Sequence, residues 1–546
     1  MNSKSLYRKS LSLLVLGLSL LPAGAAAALS AERPNIILVL ADDLGWSDLG
    51  CYGGEIPTPH IDSLAERGLR FTQFYNNAVC GPTRAALLTG LYCQQIGHSG
   101  AHWNQPTDFS KCVTIAEVLR RGGYRTMMVG KWQQRDLPSQ RGFDRFFGPM
   151  CQAKISYFHE VEQNPYLLDG DRWELPRDFY LTDALNSFAL QFLTEAVERD
   201  QPFFLYVAHI APHWPLHARE AAIAPHRQRY REQGWDEWRL RRFQKQREWG
   251  LIPTGWELSP RPPSVHDWKT DPYQDWQAER MAVYAAQVAA MDRGVGELLE
   301  TVQKAGKADN TLVMFLSDNG AAPDGGVAPT TGGFGFTPQG KNDRWRKDGV
   351  AIRPGSGPDN LPGAHDTFAA YGLAWANVSN TPLRSTKLTG YEGGIRTPLV
   401  VRWPAVIRQG GSLTDQVGHV IDIMATCLDL AGEEYPAEFD GRKPLPLEGR
   451  SLLPIFQGRQ RQGHEMLCWS VPQHHVVRMG RWKAIRPRSG GAWQLYDLEA
   501  DGTETVDLAA SQPERTKELA ARFEEWLQRM DGRRAAGGPD SPSRNP

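Results

Sequence analysis

What this chain lacks narrows its possible functions before any motif is read. It has almost no net charge, with 61 Lys and Arg against 62 Asp and Glu. That balance argues against a general affinity for nucleic acid or an anionic membrane surface. Its most apolar stretch, Leu11 to Leu21, is too short to cross a bilayer, so no membrane anchor is expected. Cysteine is too sparse for a disulfide scaffold. There are seven, at 51, 80, 93, 112, 151, 427 and 468. An odd number leaves at least one sulfur uncrosslinked even in an oxidising compartment, and Cys80 is the candidate for it. Internal repeats are absent as well, which excludes solenoids and propellers.

The first 28 residues carry Lys4, Arg8 and Lys9, then the apolar stretch, then alanines after Pro22. This is the pattern of a signal peptide, and it predicts export to a periplasm or the outside. Beyond it, 41% hydrophobic and 23% charged residues are ordinary globular proportions.

Short runs that are apolar throughout, "NIILVL" (35–40), "YRTMMVG" (124–130), "PFFLYVA" (202–208) and "TLVMFLS" (311–317), read as buried parallel strands, with "PLVVRWP" (398–404) as one more. Helical patterns separate them, including one with Met281, Tyr284, Val288, Met291, Val295 and Leu298 on a single stripe. Alternating strand and helix predicts an α/β sandwich over residues 32–458. Residues 217–275 and 321–375 read as insertions, the first helical and the second a long loop. From 459 to 532 the texture changes to hairpins and a closing helix, a small antiparallel-sheet domain. Residues 533–546 read as a disordered tail.

Polar residues recur just beyond the carboxyl ends of these strands, the edge where open α/β sheets bind ligands. Asp42 and Asp43 follow the first, Lys131 the second, His213 the third, and Asp318 with Asn319 the fourth. Singly, each has an ordinary reading as a helix cap, a solvated strand end or a hydrogen-bonded loop histidine. Together on one edge they suggest a site. Asp42, Asp43, Asp318 and Asn319 offer only oxygen donors, which select a hard cation, Ca²⁺ before Mg²⁺. Arg84, Lys131 and Lys387 add positive charge, so such a site would attract an anionic ester.

"CGPTRAALLTG" (80–90) then supplies a motif. Cys-x-Pro-x-Arg resembles the sulfatase signature. "RPNIILVLADDLGWSDLGCYGG", "GKW", "APHWPL", "FLSDNG" and "NTPLRSTKLTGYEGGIRTPLVVRWP" resemble further sulfatase segments in family order, over roughly residues 33–510. The resemblance is to the bacterial arylsulfatases of the alkaline phosphatase superfamily. It implies a mostly parallel sheet sandwiched by helices, with a small C-terminal antiparallel sheet and helix. It also implies hydrolysis of an aryl or carbohydrate sulfate ester. In this family the signature cysteine is oxidised to formylglycine by a maturation enzyme, and the aldehyde hydrate is the nucleophile. Carried over, Cys80 is the modified residue and Arg84 positions it. Asp42, Asp43, Asp318, Asn319 and the formylglycine oxygen hold calcium, Lys131 and Lys387 hold sulfate oxygens, and His213 stands by the leaving oxygen.

One position departs from the pattern. Where the family has Gly-Lys-Trp-His, this chain has Gly130-Lys131-Trp132-Gln133. The family histidine is associated with removing the second hydroxyl proton of the hydrate, and glutamine cannot accept a proton near neutral pH. Alternative readings are a phosphonate monoesterase or phosphodiesterase of the same superfamily, and a non-hydrolysing binder of sulfated glycans. Trp103, Trp132 and Trp214 lie near the motifs as candidate ring-stacking residues, though tryptophan more often serves the core. Asn377-Val378-Ser379 fits a glycosylation sequon.

Overall fold

Strands apolar at every position need cover on both faces, and the fold provides it. The computed structural model describes residues 33–98, 105–150, 155–160, 164–329, 349–353 and 355–535. The signal-peptide segment, Trp103, Cys151 and most of the proposed tail lie outside the described residues, as does much of the 321–375 insertion.

In chain order the large sheet uses β1 (Asn35–Ala41), β2 (Leu69–Tyr75), β3 (Arg125–Gly130), β4 (Arg145–Pro149), β5 (Tyr166–Leu168), β6 (Asp171–Arg172), β7 (Phe203–Ala208), β8 (Thr311–Ser317), β9 (Arg396–Arg402), β10 (Ser412–Thr414) and β11 (Gly418–His419). Their spatial order is β10-β2-β9-β8-β1-β7-β3-β4-β5-β6, with β11 beside β2. The run β8-β1-β7-β3-β4 is parallel. β9 is antiparallel to β2 and β8, a direction its sequence did not announce. Along β1, Ile37, Val39 and Ala41 enter the core on one face, and Ile36, Leu38 and Leu40 the core on the other. This alternation explains the unbroken apolar run.

The six-residue stripe from Met281 to Leu298 lies on one 31-residue helix, Gln274–Lys304, and all six side chains are buried. Residues 217–275 do begin with two helices, Glu220–Glu232 and Trp235–Glu248, but they are no loose excursion. Arg242 is fully buried and pairs with Asp48 and Glu55 at 2.8 Å each. The sequon is equally internal, because Asn377 is buried in the helix Gly372–Ser379. The six described cysteines are all buried free thiols. No helix among the described residues is long and apolar enough to cross a membrane.

Near the C-terminus, β12 (Leu467–Ser470), β13 (His474–Met479), β14 (Trp482–Pro487) and β15 (Gln494–Asp497) form an antiparallel sheet. The helix Pro513–Ala535 buries Leu519, Phe523, Trp526 and Met530, spaced by three or four residues. This sheet packs its Leu467, Trp469, Val476 and Ile485 on Ala78, Val79 and Cys80 of the large unit.

A buried ionic knot ties the two sheets together. Lys483 lies 2.8 Å from Glu392 Oε1 and 2.7 Å from Glu504 Oε1, all three side chains being wholly buried. Tyr75 donates to Glu392 Oε2 at 2.8 Å, and the Glu392 amide donates to Glu504 Oε2. Removing one member of such a cluster strands an opposite charge in the interior. Lys483→Met is therefore expected to cost about 3–5 kcal/mol. The readout is a lower urea midpoint by tryptophan fluorescence, and an unchanged midpoint would show the two glutamates to be satisfied without the lysine.

Candidate active site

The sheet register aligns the polar edge. Ala41 of β1 pairs with Ser317 of β8, so Asp42 and Asp318 leave the sheet side by side. Gly130 of β3 pairs with Ala208 of β7, which sets Lys131 on the same edge. A side chain at Gly130 would meet Ala208 O at 2.0 Å, so only glycine lets β3 end this close to β7. Asp43 turns the chain with φ of 67°, a left-handed conformation that aspartate tolerates better than most residues. Leu44 N donates to Ser317 Oγ and Asp43 N to Asp318 Oδ1, so the two strand ends brace each other.

Cys80 begins the helix Cys80–Thr89, all of whose residues are buried. One turn on, Arg84 is fully buried beneath it. Its Nε and Nη2 donate to Asp318 Oδ2 at 3.0 and 2.8 Å, and Nη1 donates to the Lys131 carbonyl. Lys131 Nζ donates to Asp42 Oδ2 at 2.6 Å, and Lys387 Nζ to Asp43 Oδ1 at 2.6 Å. Asn319 Nδ2 also donates to Asp43 Oδ1, and His213 Nε2 stands 3.5 Å from Asp43 Oδ2. Asp42, Asp43, Cys80, Arg84, Lys131, His213, Asp318, Asn319 and Lys387 thus fall in one buried cluster.

Gln133 joins it. Its backbone is left-handed, with φ of 55°, and its Nε2 lies 3.3 Å from Cys80 Sγ as donor. Its neighbours turn elsewhere. Gln134 Oε1 accepts from Thr107, and Asp136 pairs with Arg141. Trp132 is core, stacked on Phe109, whereas Trp214 forms a separate small cluster with Phe368 and Ala370 beside His213. Two supports of the Lys387 loop were not anticipated. Asn380 Nδ2 donates to Ser385 O and Gly393 O, and Ala321 N donates to Asn380 Oδ1. Their only sequence signal is that Asn380 opens "NTPLRSTKLTG".

The electrostatics show what is missing. Burial alone would raise Asp42, but Lys131, His213, Arg84 and Lys387 outweigh it and hold the carboxyl well below its usual range. Asp318 goes the other way. Burial and the charge on Asp42 push it up to about 7 against Arg84 and Lys131. Burial also lowers His213, against the pull of Asp43 and Asp42. Asp42 Oδ1, Asp43 Oδ2 and Asn319 Oδ1 are buried and accept no hydrogen bond. Three orphaned acceptors in one spot are costly, since each forgoes the partners water would give it. The donor atoms of Asp42, Cys80 and Asp318 lie within 4.8 Å of one another, as do those of Asp42, Asp43 and His213. This oxygen-rich set fits a hard divalent cation, which would satisfy all three orphans and keep Asp318 ionised.

Comparison with known proteins agrees in detail. Residues 34–433 match the family model Sulfatase, and residues 386–532 match one described as N-sulphoglucosamine sulphohydrolase, C-terminal. An arylsulfatase of Klebsiella aerogenes is 34% identical over 472 residues, covering 81% of this chain and 96% of that protein. An N-acetylgalactosamine-6-sulfatase of Rattus norvegicus is 30% identical over 509 residues, covering 87% and 75%. Among solved structures, Ps i-CgsB in complex with k-i-k-neocarrahexaose is 25% identical with a TM-score of 0.64, covering 90% of this chain and 92% of that one. A further structure, in complex with D-glucosamine-2-N,6-O-disulfate, has a TM-score of 0.59 at 21% identity, covering 92% and 98%, and speaks to the fold alone.

Asp318→Ala removes the carboxylate that faces Arg84 and completes the oxygen set. The variant is expected to lose bound divalent metal when purified beside the wild type and assayed by elemental mass spectrometry. Equal metal content in both would show that the cluster is not the metal site.

Proposed function

Because the chain belongs to the sulfatase family and hydrolyses sulfate esters, we propose that its nucleophile is Cys80 matured to formylglycine, acting beside a calcium ion. The observation that carries this reading is the placement of Cys80 Sγ within 4.8 Å of carboxylate oxygens of Asp42 and Asp318, next to three buried oxygens that lack partners. In the mature protein a hydrate oxygen takes the place of that sulfur. Asp42, Asp43, Asp318 and Asn319 would hold the cation, and calcium suits them better than magnesium because they form an all-oxygen protein cage. When bound, the ion supplies positive charge at the nucleophile and at the sulfate oxygens.

The chain's own residues do the rest. Arg84, locked by Asp318 and the Lys131 carbonyl, has no freedom to leave the base of the nucleophile. Lys131 and Lys387 bring two ammonium groups to the mouth of the site, where they fit the oxygens of an anionic ester. His213 is set for the leaving oxygen. Its Nδ1 lies 2.6 Å from the Trp214 carbonyl, which can only accept, so Nδ1 carries a proton and Nε2 faces the reaction centre. Nε2 holds a proton for the departing alcohol only in the imidazolium, the form that Asp43 and Asp42 favour and burial opposes.

The substrate is a sulfated carbohydrate in this proposal. Supporting it are relatives named N-acetylgalactosamine-6-sulfatase and a structural neighbour in complex with k-i-k-neocarrahexaose. Export and a formylglycine-generating partner complete the reading, because the cysteine must be oxidised before it can act.

Two tests follow. The tryptic peptide containing Cys80 should be about 18 Da lighter than its cysteine form, the mass change of thiol to aldehyde. Cys80→Ala should retain less than about a thousandth of wild-type turnover, since the covalent route is gone. An unmodified peptide in a fully active enzyme would sink the formylglycine mechanism.

Gln133 bears on the second half of the reaction. With an amide rather than a base next to the nucleophile, sulfate release should be slower than alcohol release. Wild-type enzyme is expected to show a burst of about one equivalent of alcohol per site before the steady rate. Gln133→His should raise the steady rate on the order of 10²-fold and shrink the burst. A wild type with no burst would show that release does not limit turnover.

A further inference from the structure

Two segments leave the reaction centre together and enclose a second space. The first runs from His213 to Ala218, and the second from Gly363 to Ala370. They are stitched by Leu216 N to Ala369 O, Gly363 N to Leu216 O and Ala218 N to Gly363 O at 2.8, 2.9 and 3.2 Å. His217 Nε2 lies 2.7 Å from Thr367 O. A third wall is anchored to the same place, since Tyr157 donates to the His213 carbonyl at 2.8 Å and Phe158 follows it. Phe158, Ala218, Ile223, Leu361 and Gly363 line a cavity of about 550 Å³. That volume lies within the usual range of small-ligand sites. Leu361, on its lip, is 45% exposed, one of few large apolar side chains left so open.

The charges of this cavity decide what it would hold. Three arginines line it, and each is already matched. Arg227 donates to Glu279 at 2.6 Å and to Glu220 at 2.7 Å. Arg353 forms a two-pronged pair with Asp366 at 2.9 and 3.0 Å, and Arg219 donates to the Asp178 carbonyl at 2.7 Å and shares Asp183 with Arg293. Asp359 adds an exposed carboxylate with no cation opposite it among the described residues. Within the lining, Glu220, Glu279 and Asp359 balance the three arginines, so among the described residues no cation is spare for a second sulfate or a uronate. Apolar surface and fixed polar groups together suit an uncharged sugar ring.

We propose that this cavity binds a neutral sugar adjacent to the sulfated one, so that the enzyme acts on sulfated residues within oligosaccharides and discriminates against anionic neighbours. The proposal rests on the carbohydrate sulfatase reading above.

The test measures competition against p-nitrophenyl sulfate turnover. The competitors are N-acetylglucosamine 6-sulfate and N-acetylgalactosamine 6-sulfate, each free or joined to galactose or to glucuronic acid. Joining galactose to at least one of the two sulfated sugars should strengthen competition about tenfold, roughly 1.4 kcal/mol, whereas joining glucuronic acid should not. Leu361→Asp should erase the galactose advantage and leave p-nitrophenyl sulfate turnover unchanged. Asp359→Arg should admit the glucuronyl disaccharides. Equal competition by all members of each series, or a galactose advantage that survives Leu361→Asp, overturns the proposal. If p-nitrophenyl sulfate is not hydrolysed, titration calorimetry with the same sugars decides whether the cavity prefers a neutral neighbour, and if none of the sulfated sugars binds, the carbohydrate sulfatase reading fails instead.

Discussion

Three carboxylates held dry at the end of a parallel sheet are the constraint on which this structure turns. Asp42 and Asp318 are fully buried and Asp43 nearly so. Left alone, each would pay several kcal/mol of lost hydration. Arg84, Lys131 and Lys387 offset much of that, at distances of 2.6 to 2.8 Å. The offset is incomplete. Oxygens on Asp42, Asp43 and Asn319 remain without donors among the described residues, and burial together with the charge on Asp42 pushes Asp318 up to about 7. A fold selected for stability alone would place apolar residues there. The residual imbalance, an oxygen-rich set with acceptors left over, is what supports the proposed cation there.

Everything around the cluster serves to keep it in place. The β1–β8 register delivers Asp42 beside Asp318, and the helix from Cys80 delivers Arg84 beneath both. The C-terminal sheet does more than cap the molecule. Lys483 holds Glu392, five residues after Lys387, and Glu392 holds Tyr75, five residues before Cys80. The Lys387 amide is fixed to Ala321 and the Leu388 amide to Ala78. One buried ion cluster therefore fixes both the approach to Cys80 and the loop bearing Lys387.

Much of this was legible because parallel strands buried on both faces write themselves as continuous apolar runs, and the residues just after them mark the ligand edge. β1, β3, β7 and β8 lie within a residue or so of the apolar runs that predict them, and the polar residues just beyond β1, β3 and β8 share one sheet edge. β2 escaped because "LRFTQFY" mixes polar and apolar residues on a strand only partly buried. The direction of β9 escaped because antiparallel pairing leaves no mark on a strand buried at every position. Arg242 escaped for a different reason. In a helix dense with Arg, Gln and Glu it looks solvated, and only its partners Asp48 and Glu55, nearly two hundred residues away, make it a core residue.

Gln133 shows where sequence and structure each stop. The sequence identifies it as a departure, and the fold then puts its amide nitrogen on Cys80 Sγ with the amide oxygen buried and unpartnered. An amide there can orient the nucleophile but cannot change its protonation state near neutral pH. On the opposite side of the carboxylates stands a titratable group, His213, whose proton affinity burial lowers against the pull of Asp43 and Asp42. Proton chemistry in this site is therefore lopsided. The His213 side has a titratable group beside the carboxylates, and the Cys80 side has only the fixed dipole of Gln133. Both differences follow from single residues set in the same buried charge cluster.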